Sequence, residues 1–375
     1  MILKSIGLMS GTSMDGIDAV LMETDGKYDI KSKTNLSLVY EPEFQLELRR
    51  AEAVSRQAKA NQAPLETIIK STKLHAKIVK DLLKQANLSP KDIDVIGYHG
   101  QALYHNPSEG ITIQMGDGQL LANLTEIKVV NNFRIDDVRN GGQGAPLAPL
   151  YHQALAIRDI YFPVAVVNCG GIANISIING ADESQVIGFD TGPGNVLIDR
   201  YVRNKTNNKE FMDLDGKYGL KGLVDQKILE KMVDSLKPYL TKAAPKSLDP
   251  GDLQLIPELD NLNINDACTI LEAFTAFCIV NSIAQEDIPS KWILAGGGWN
   301  NPVITKFLKQ YLNQRLKNVE VKIANEIGWD NVYMEAEIFA YLAVRSLYKL
   351  PISLPSVTGA KRASYGGEIY VPNAI

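Results

Sequence analysis

The sequence has few of the residues that build metal centres and disulfide frameworks. Its 375 residues include three cysteines and four histidines. Cys169, Cys268 and Cys278 are widely spaced and form no CxxC pair, so we interpret them as reduced, buried thiols. The histidines show neither HxxxH nor HExxH spacing, which argues against a zinc site.

The sequence also lacks a strong charge excess and a long apolar run. The net charge is −4, with 22% charged and 45% hydrophobic residues. This balance argues against a general nucleic-acid or anionic-membrane surface. Residues 1–4 lead directly into the first predicted strand, with no signal peptide and no apolar run of spanning length. We therefore expect a cytoplasmic protein without nucleic-acid or membrane partners.

Polar, glycine-rich turns are what the sequence does contain. The first is residues 7–18 (GLMSGTSMDGID), which lies between two short apolar stretches and predicts strand, turn, strand. Glycines let backbone N–H groups approach an anion, hydroxyls add donors, and a carboxylate can hold Mg²⁺. No Gly-Lys-Ser/Thr closes the segment, so it is not a Walker loop. Taken alone, such a segment is usually only a turn.

Three later turns have the same character. They are residues 170–174, residues 190–195 and a glycine triplet within residues 296–301, which precedes a predicted helix. A glycine-rich connection before a helix lets a phosphate or a flat ligand approach the helix N-terminus. Four such turns favour an ATP site in a cleft between two domains of the actin-like type. The alternative is that glycine turns accumulate in any α/β protein.

The length of the chain predicts two domains. The strand–turn–strand layout near the start recurs at residues 164–178, which suggests two related α/β halves. The irregular, polar segment at residues 132–146 marks the boundary between them. We therefore predict one domain from residues 1–131 plus about 350–375, and a second from residues 132–349.

Several polar residues have both a functional and a structural interpretation. Asp190 follows a strand and could act as a general base, or it could cap the turn. Asp15 and Asp18 could be turn formers or outer-shell Mg²⁺ ligands. Glu335 could be an ordinary helical glutamate or a catalytic group.

Two basic side chains have the same ambiguity. Arg134 could pair locally with Asp136 and Asp137, or it could anchor a carboxylate ligand. His99 could be a core histidine bonded to a backbone carbonyl, or it could contact a substrate.

Read in order, these motifs resemble the anhydro-N-acetylmuramic acid kinase family. The resemblance spans nearly the whole chain, and the first turn and the stretch around Asp190 are long and specific motifs. The matching stretches are 7–18 (GLMSGTSMDGID), 99–101 (HGQ), 114–118 (QMGDG), 141–146 (GGQGAP), 170–174 (GGIAN), 188–195 (GFDTGPGN), 296–302 (GGGWNNP), 335–345 (EAEIFAYLAVR) and 358–360 (TGA).

The resemblance implies a fold and an activity. The fold is the two-domain, actin-like fold of the sugar kinase/Hsp70 superfamily, with duplicated ribonuclease-H-like α/β domains around a central cleft. The activity is an ATP- and Mg²⁺-dependent reaction of peptidoglycan recycling. It opens 1,6-anhydro-N-acetylmuramic acid with water and phosphorylates the released 6-oxygen, giving N-acetylmuramic acid 6-phosphate. The resemblance also implies a homodimer.

The resemblance further implies roles for individual residues. Asp190 would activate the water, and Glu335 would act near the metal or the triphosphate. ATP would be bound by Gly11, Thr12, Ser13, Met14, Asp15, Gly16, Ile17, Asp18, Gly170, Gly171, Asn174, Gly296, Gly297 and Gly298. The sugar would be bound by His99, Gln101, Arg134, Gln143, Gly144, Thr191 and Gly192. Mg²⁺ would be held mainly by the ATP phosphates, with Asp15 or Glu335 as the candidate protein ligand.

The chain departs from the family pattern at four places. These are Ala102, Asn132, Arg139-Asn140 and the segment Leu248–Asp252, all on or near the predicted sugar side. Two other functions therefore stay open at this point. One is a kinase of a different sugar with an ordinary hydroxyl acceptor, and the other is an Hsp70-like ATPase module.

Overall fold

The computed structural model describes residues 1–373 and divides into two compact units. The first unit comprises Met1–Ile160 and the chain from Tyr333 onward, and the second comprises Tyr161–Val332.

Both units combine α-helices with a mixed β-sheet. The strands are β1 (Leu3–Ser10), β2 (Gly16–Thr24), β3 (Ile30–Val39), β4 (Val95–Asn106), β5 (Ile111–Met115), β6 (Val129–Asn131), β7 (Val164–Cys169), β8 (Ile172–Ile178), β9 (Val186–Pro193), β10 (Lys291–Ala295), β11 (Glu320–Ile323) and β12 (Glu368–Tyr370). The α-helices are α1 (Pro42–Ala58), α2 (Leu65–Ala86), α3 (Gly118–Thr125), α4 (Ile135–Arg139), α5 (Pro149–Arg158), α6 (Val196–Lys205), α7 (Gln226–Leu240), α8 (Ile264–Asn281), α9 (Pro302–Arg315), α10 (Met334–Leu347) and α11 (Pro355–Thr358).

The two sheets share one strand order. In the first unit the order is β3-β2-β1-β4-β6, with β12 beyond β6 and β5 hydrogen-bonded to β4. In the second unit it is β9-β8-β7-β10-β11. In each sheet the first three strands in chain order form an antiparallel meander. Two further strands, β4 and β6 in the first sheet and β10 and β11 in the second, run parallel to the first strand of the meander. This is the ribonuclease-H-like arrangement, and its occurrence twice in one chain confirms the predicted actin-like fold.

The parallel strands decide where polar segments collect. The carboxyl ends of β1, β4 and β6 lie at one edge of the first sheet, and those of β7 and β10 lie at one edge of the second. Segments that follow these strands are therefore brought together within each unit, which is where open α/β sheets bind ligands.

Apolar residues on both faces of the first sheet are covered by helices. The side chains of Ile6, Leu8 and Ile96 are buried in a core that includes residues of α1 and α2. On the opposite face α10 lies against the backbone, because a Cβ atom on Gly7 would be 1.8 Å from Ala336 O, and one on Gly97 would be 2.0 Å from Phe339 O.

The second unit is built around α8. Among residues 1–373, this helix alone has the length and apolar character of a membrane span, and 72% of it is buried within the structure. Its side chains belong to a core that includes Ala165, Val167 and Ile175 of the sheet.

Both boundaries between the two units differ from the domain boundaries that the sequence predicted. Residues 132–160 and 333–349, which we assigned to the second domain, lie in the first unit. The reason is that α10 packs directly on β1, β2 and β4, a contact between distant parts of the chain. Residues 374 and 375 of the predicted first domain lie outside the described residues.

We expect Gly7→Ala to lower the free energy of unfolding by about 1–3 kcal/mol, because the added methyl group would force α10 away from the sheet. Urea denaturation would measure this change. The matched control is Gly297→Ala, since a Cβ atom there meets no atom within 4 Å. Equal stability of the two variants would contradict the close approach of α10.

Candidate active site

The first glycine-rich turn connects β1 to β2 and exposes its polar side chains. The Met14 N–H donates to Gly11 O (3.2 Å), and the Ser13 hydroxyl donates to Asp15 Oδ1 (2.7 Å). Thr12, Ser13 and Asp15 are exposed. Hydroxyl groups, a carboxylate and backbone N–H groups thus lie together at one end of the first sheet.

Two residues predicted to bind phosphate point into the core instead. Met14 and Ile17 are each only 1% exposed, and both belong to the core of the first unit. Only their backbone groups could contact a ligand. Gly16 is required by the sheet, because a Cβ atom there would lie 2.3 Å from Leu38 O on β3.

Gln101 connects β4 to the first turn. Its Nε2 donates to Gly11 O (2.9 Å), and the side chain is fully buried. Its Oε1 atom has no hydrogen-bond partner in the described part of the chain. Gln101, which we predicted to contact the sugar, therefore lies against the turn predicted to bind phosphate.

Asp18 is the third residue of β2 and contacts its neighbour on β3. The Ser37 hydroxyl donates to Asp18 Oδ1 (2.5 Å) and lies 3.1 Å from the Tyr333 hydroxyl, just before α10. Asp18 thus links β2 and β3 close to the start of that helix.

Glu335 lies in the first turn of α10 and is half-buried. The helix runs antiparallel to β1, because Ala336 lies near Gly7 while Val344 lies near Gly26 at the far end of β2. Glu335 is therefore at the same end of the first unit as the Gly11–Asp15 turn. Within residues 1–373, no three His, Cys, Asp or Glu side chains form a group that could hold a metal ion alone.

Half-buried Arg134, which follows β6, is hydrogen-bonded to the buried His99 of β4. Arg134 Nε donates to His99 Nε2 (3.2 Å), and Arg134 Nη1 donates to Gly144 O (2.7 Å). His99 Nδ1 lies 2.8 Å from Gly100 O, which assigns the ring proton to Nδ1. Burial, together with the Arg134 charge, lowers the pKa of His99 well below its usual value. His99 is therefore a neutral group that orients Arg134.

Asp137 holds the segment that carries Gln143 and Gly144. Its carboxylate accepts hydrogen bonds from Gly144 N (2.7 Å), from the Thr358 hydroxyl (2.6 Å) and from the Ser353 hydroxyl. The Gln143 N–H donates to Thr358 O (2.7 Å). Asp137 is fully buried, so this one carboxylate fixes three separate segments.

Asp190 is 7% exposed and is held on three sides within the second unit. Its Oδ2 accepts from Leu248 N (2.9 Å), and its N–H donates to Lys246 O (3.0 Å). Its carbonyl oxygen accepts from the Tyr239 hydroxyl (2.6 Å). The carboxylate is thus fixed in place, as a general base requires.

Asp190 ends a polar row across the second sheet. Asn168 on β7 pairs with Asn174 on β8, and Asn174 pairs with Asp190 on β9. Directly opposed residues lie on the same face of an antiparallel sheet. Asn174 Oδ1 is buried without a hydrogen-bond partner in the described residues. Asn174, which we predicted to bind phosphate, is therefore a neighbour of the predicted base.

Thr191 and Gly192 face the interior of the second unit. The Thr191 hydroxyl donates to Ala173 O (3.1 Å), and a Cβ atom on Gly192 would lie 2.7 Å from Cys278 Cβ. The Thr191 side chain is thus occupied within the unit. The prediction that these residues contact the sugar depends on the resemblance alone.

The turn after β7 is closed by the segment that precedes α6. Gly194 N donates to Gly171 O (2.9 Å), and Asn195 N donates to Gly170 O (2.8 Å). A Cβ atom on Gly194 would lie 2.2 Å from Gly170 O, so this contact requires glycine.

The glycine triplet connects β10 to α9. Gly297 is exposed and has open space at its Cβ position, whereas Gly298 is buried against Cys169. The Asn301 side chain caps α9 by accepting from Val303 N (2.9 Å). One glycine of the three therefore presents an open backbone surface near a capped helix N-terminus.

Comparison with known proteins decides the family. The family model described as "Anhydro-N-acetylmuramic acid kinase" matches residues 3–372. The chain is 40% identical to the anhydro-N-acetylmuramic acid kinase of Zymomonas mobilis, covering 98% of this chain and 99% of the relative. It is 37% identical to that of Methylobacterium nodulans, covering 97% and 99%. The chain belongs to the anhydro-N-acetylmuramic acid kinase family.

Membership confirms the predicted enzyme class. Anhydro-N-acetylmuramic acid kinases are phosphotransferases with an alcohol acceptor, and the family acts in cell-wall recycling. Among solved structures, the chain is similar to component A of the (R)-2-hydroxyglutaryl-CoA dehydratase of Acidaminococcus fermentans. That similarity has a TM-score of 0.48 at 14% identity and covers 92% of this chain and 100% of the other.

The structure shows the local contacts of two residues, Asn132 and Leu248, that depart from the anhydro-N-acetylmuramic acid kinase pattern. Asn132 has a left-handed backbone (φ 61°), which asparagine tolerates, and it donates to Glu368 Oε2 (2.9 Å). Leu248 contacts Asp190 through its backbone N–H, so a changed side chain there keeps the donor.

A buried carboxyl group supports the start of α9. Glu272 Oε1 accepts from Asn301 Nδ2 (2.6 Å), and the side chain is fully buried. Burial, together with the nearby Asp213 carboxyl group, raises the pKa of Glu272 to about 9. Glu272 therefore carries a proton at neutral pH.

We expect Glu272→Gln to flatten the pH dependence of stability. Glu272 keeps its proton up to about pH 9 when folded, but loses it above its usual value of 4.5 when unfolded. Its contribution is therefore complete below pH 4.5 and is lost as the pH rises through about 9. Urea denaturation across this range would test the effect, with the exposed Glu286→Gln as control. The same slope of unfolding free energy against pH in wild type and Glu272→Gln would contradict this prediction.

Proposed function

We propose that this chain uses ATP and Mg²⁺ to open the 1,6-anhydro bridge of anhydro-N-acetylmuramic acid with water and to phosphorylate the released 6-oxygen. The product is N-acetylmuramic acid 6-phosphate. The single observation that carries the proposal is the fixed, nearly buried carboxylate of Asp190 beside Asn174. Family membership supports the substrate class.

Asp190 is the base that activates the water. Its carboxylate takes a proton as the water oxygen bonds to the anomeric carbon, and the bond from that carbon to the bridging oxygen breaks. The bridging oxygen, now the 6-oxygen, bonds to the γ-phosphorus while the bond from that phosphorus to ADP breaks. No separate acid is needed, because the departing oxygen is captured by the phosphoryl group.

The first turn is the proposed phosphate-binding element. Its backbone N–H groups and the exposed Thr12 hydroxyl are donors suited to an anion. The Ser13 hydroxyl donates to Asp15 Oδ1 and so holds that carboxylate in the turn. Asp15 and Glu335 lie at the same end of the first unit, and their carboxylate oxygens are the hard ligands that Mg²⁺ accepts beside phosphates. When bound, the ion would neutralise charge on the phosphates. Gly297 offers its open backbone to the adenosine.

Arg134 is the proposed anchor for the sugar's carboxylate. A guanidinium matches a carboxylate in charge and in geometry. His99 acts on the sugar through Arg134, since both of its ring nitrogens are occupied by Arg134 and Gly100. We also propose a cytoplasmic homodimer, which the resemblance to the family supports.

The test is ADP release by the purified protein with Mg²⁺-ATP and a panel of sugars. We expect strong release with anhydro-N-acetylmuramic acid and little with N-acetylglucosamine or glucose. Release only with other sugars would indicate an ordinary sugar kinase. Release that ignores every sugar would overturn the proposal and favour an Hsp70-like ATPase.

A further inference from the structure

Lys246 is a buried lysine whose charge is solvated by backbone. The residue is only 1% exposed. Its Nζ donates to Tyr239 O (3.2 Å) and to Leu240 O (3.1 Å), the last carbonyls of α7. These carbonyls have no partner within the helix and carry its negative partial charge, so a cation is favourable there.

Aromatic rings provide the rest of the surroundings. Nζ lies 5.3 Å from the ring centre of Phe189 and 4.9 Å from that of Tyr239. The ring faces stabilise a cation where water is excluded. Burial, with a smaller effect from the nearby Lys242 charge, lowers the pKa of Lys246 to about 8. Keeping this cation buried is costly, so its contacts need an explanation beyond simple packing.

Both segments that Lys246 joins also hold Asp190. Tyr239, at the end of α7, donates its hydroxyl to the Asp190 carbonyl (2.6 Å). Lys246 itself accepts from Asp190 N (3.0 Å), and two residues later Leu248 N donates to Asp190 Oδ2 (2.9 Å). The Nζ contacts therefore tie the end of α7 to the segment 246–248, which contacts the carboxylate.

We propose that Lys246 is a positioning residue for the reaction. Its ammonium group joins the end of α7 to the segment 246–248, so that the Leu248 N–H stays directed at the Asp190 carboxylate. This role rests on the proposed function of Asp190 as the base. Lys246 acts on the reaction only through Leu248 and Tyr239, without contact to the sugar or the nucleotide.

The test compares Lys246→Met with Lys242→Met. Methionine keeps the length of the side chain but removes the donors, while Lys242 is an exposed lysine next to the same helix end. Amide hydrogen exchange of the peptide covering residues 244–252 would report the segment directly, without any substrate. We expect faster exchange in Lys246→Met and wild-type exchange in Lys242→Met.

Steady-state kinetics then distinguish a positioning role of Lys246 from a purely structural one. We expect kcat for the anhydro sugar to fall about 10-fold in Lys246→Met, the equivalent of one hydrogen bond in the transition state, with the KM for ATP unchanged. The acid limb of the kcat profile should move to higher pH, because the charged carboxylate has lost a donor. Lys242→Met should keep the wild-type kcat and acid limb.

The outcomes distinguish this inference from the proposed function. Faster exchange in Lys246→Met, together with the lower kcat and the shifted acid limb, would support the positioning role of Lys246. Wild-type exchange and kcat in Lys246→Met would overturn it. Faster exchange with unchanged kcat and acid limb would also overturn it, because the residue would then be structural only. Absence of sugar-dependent activity in the wild type would instead reject the proposed function, and with it the catalytic meaning of this contact.

Discussion

Asp190→Asn should lower kcat for sugar-dependent ADP release by about 10³-fold. The amide has nearly the shape of the carboxylate, and its oxygen can still accept the Leu248 N–H. It cannot take a proton from water, so the step that opens the anhydro bridge loses its base. Steady-state ADP release with saturating ATP and sugar would measure the loss.

The control for Asp190→Asn is Asp182→Asn in the same unit. Asp182 is exposed and caps a short helical turn, a role that asparagine fills equally well. We expect wild-type kcat in this variant and unchanged ATP binding in both. A kcat for Asp190→Asn close to that of the wild type would mean that another group activates the water.

Asp137→Ala should cause the largest loss of stability, about 3–5 kcal/mol in the unfolding of the first unit. The substitution leaves the Gly144 N–H and the Thr358 and Ser353 hydroxyls without their shared acceptor in a buried site. A buried donor without a partner costs about 1–3 kcal/mol. Urea denaturation followed by a probe in the first unit would measure the change.

Two further variants serve as comparisons for Asp137→Ala. Asp137→Asn keeps one acceptor and should lose less stability than Asp137→Ala. Asp81→Ala removes an exposed ion pair with Lys77 and should change stability by less than about 0.5 kcal/mol. If Asp137→Ala were as stable as Asp81→Ala, the carboxylate would not be what holds the three segments together.

Local features of the fold could be predicted from the sequence. The strand–turn–strand segments around Gly11 and Gly170 form as their apolar flanks and glycines predict, because these signals act over a few residues. The helix after the glycine triplet begins with Asn301 as its cap and Pro302 in its first turn, which is a local signal as well.

Long-range contacts could not be predicted. Asp137 binds Ser353 and Thr358, more than 200 residues along the chain, so nothing near it in sequence indicated its role. The domain boundaries differed from the prediction for the same reason. Helix α10 belongs to the first unit, although the entire second unit precedes it in the sequence. Tyr239 and Lys246 hold Asp190 through contacts that no motif indicates.

Side-chain direction explains the other differences. Met14 and Ile17 lie within a motif that resembles a phosphate-binding turn, yet both point into the core. Alternation along β2 could have indicated this for Ile17, whose side chain lies on the same face as Ala19 and Leu21. For Met14 the left-handed backbone (φ 58°) decides the direction, and sequence pattern carries no signal of it.

The fate of the water oxygen tests hydrolytic opening of the anhydro bridge most directly. The reaction should be run in ¹⁸O-labelled water, and the product sugar and phosphate should be analysed by mass spectrometry immediately after turnover. Hydrolytic opening predicts one labelled oxygen at the anomeric carbon and none in the transferred phosphoryl group. Phosphorylated product without label at that carbon, or label in the phosphoryl group, would contradict hydrolytic opening by the base at Asp190.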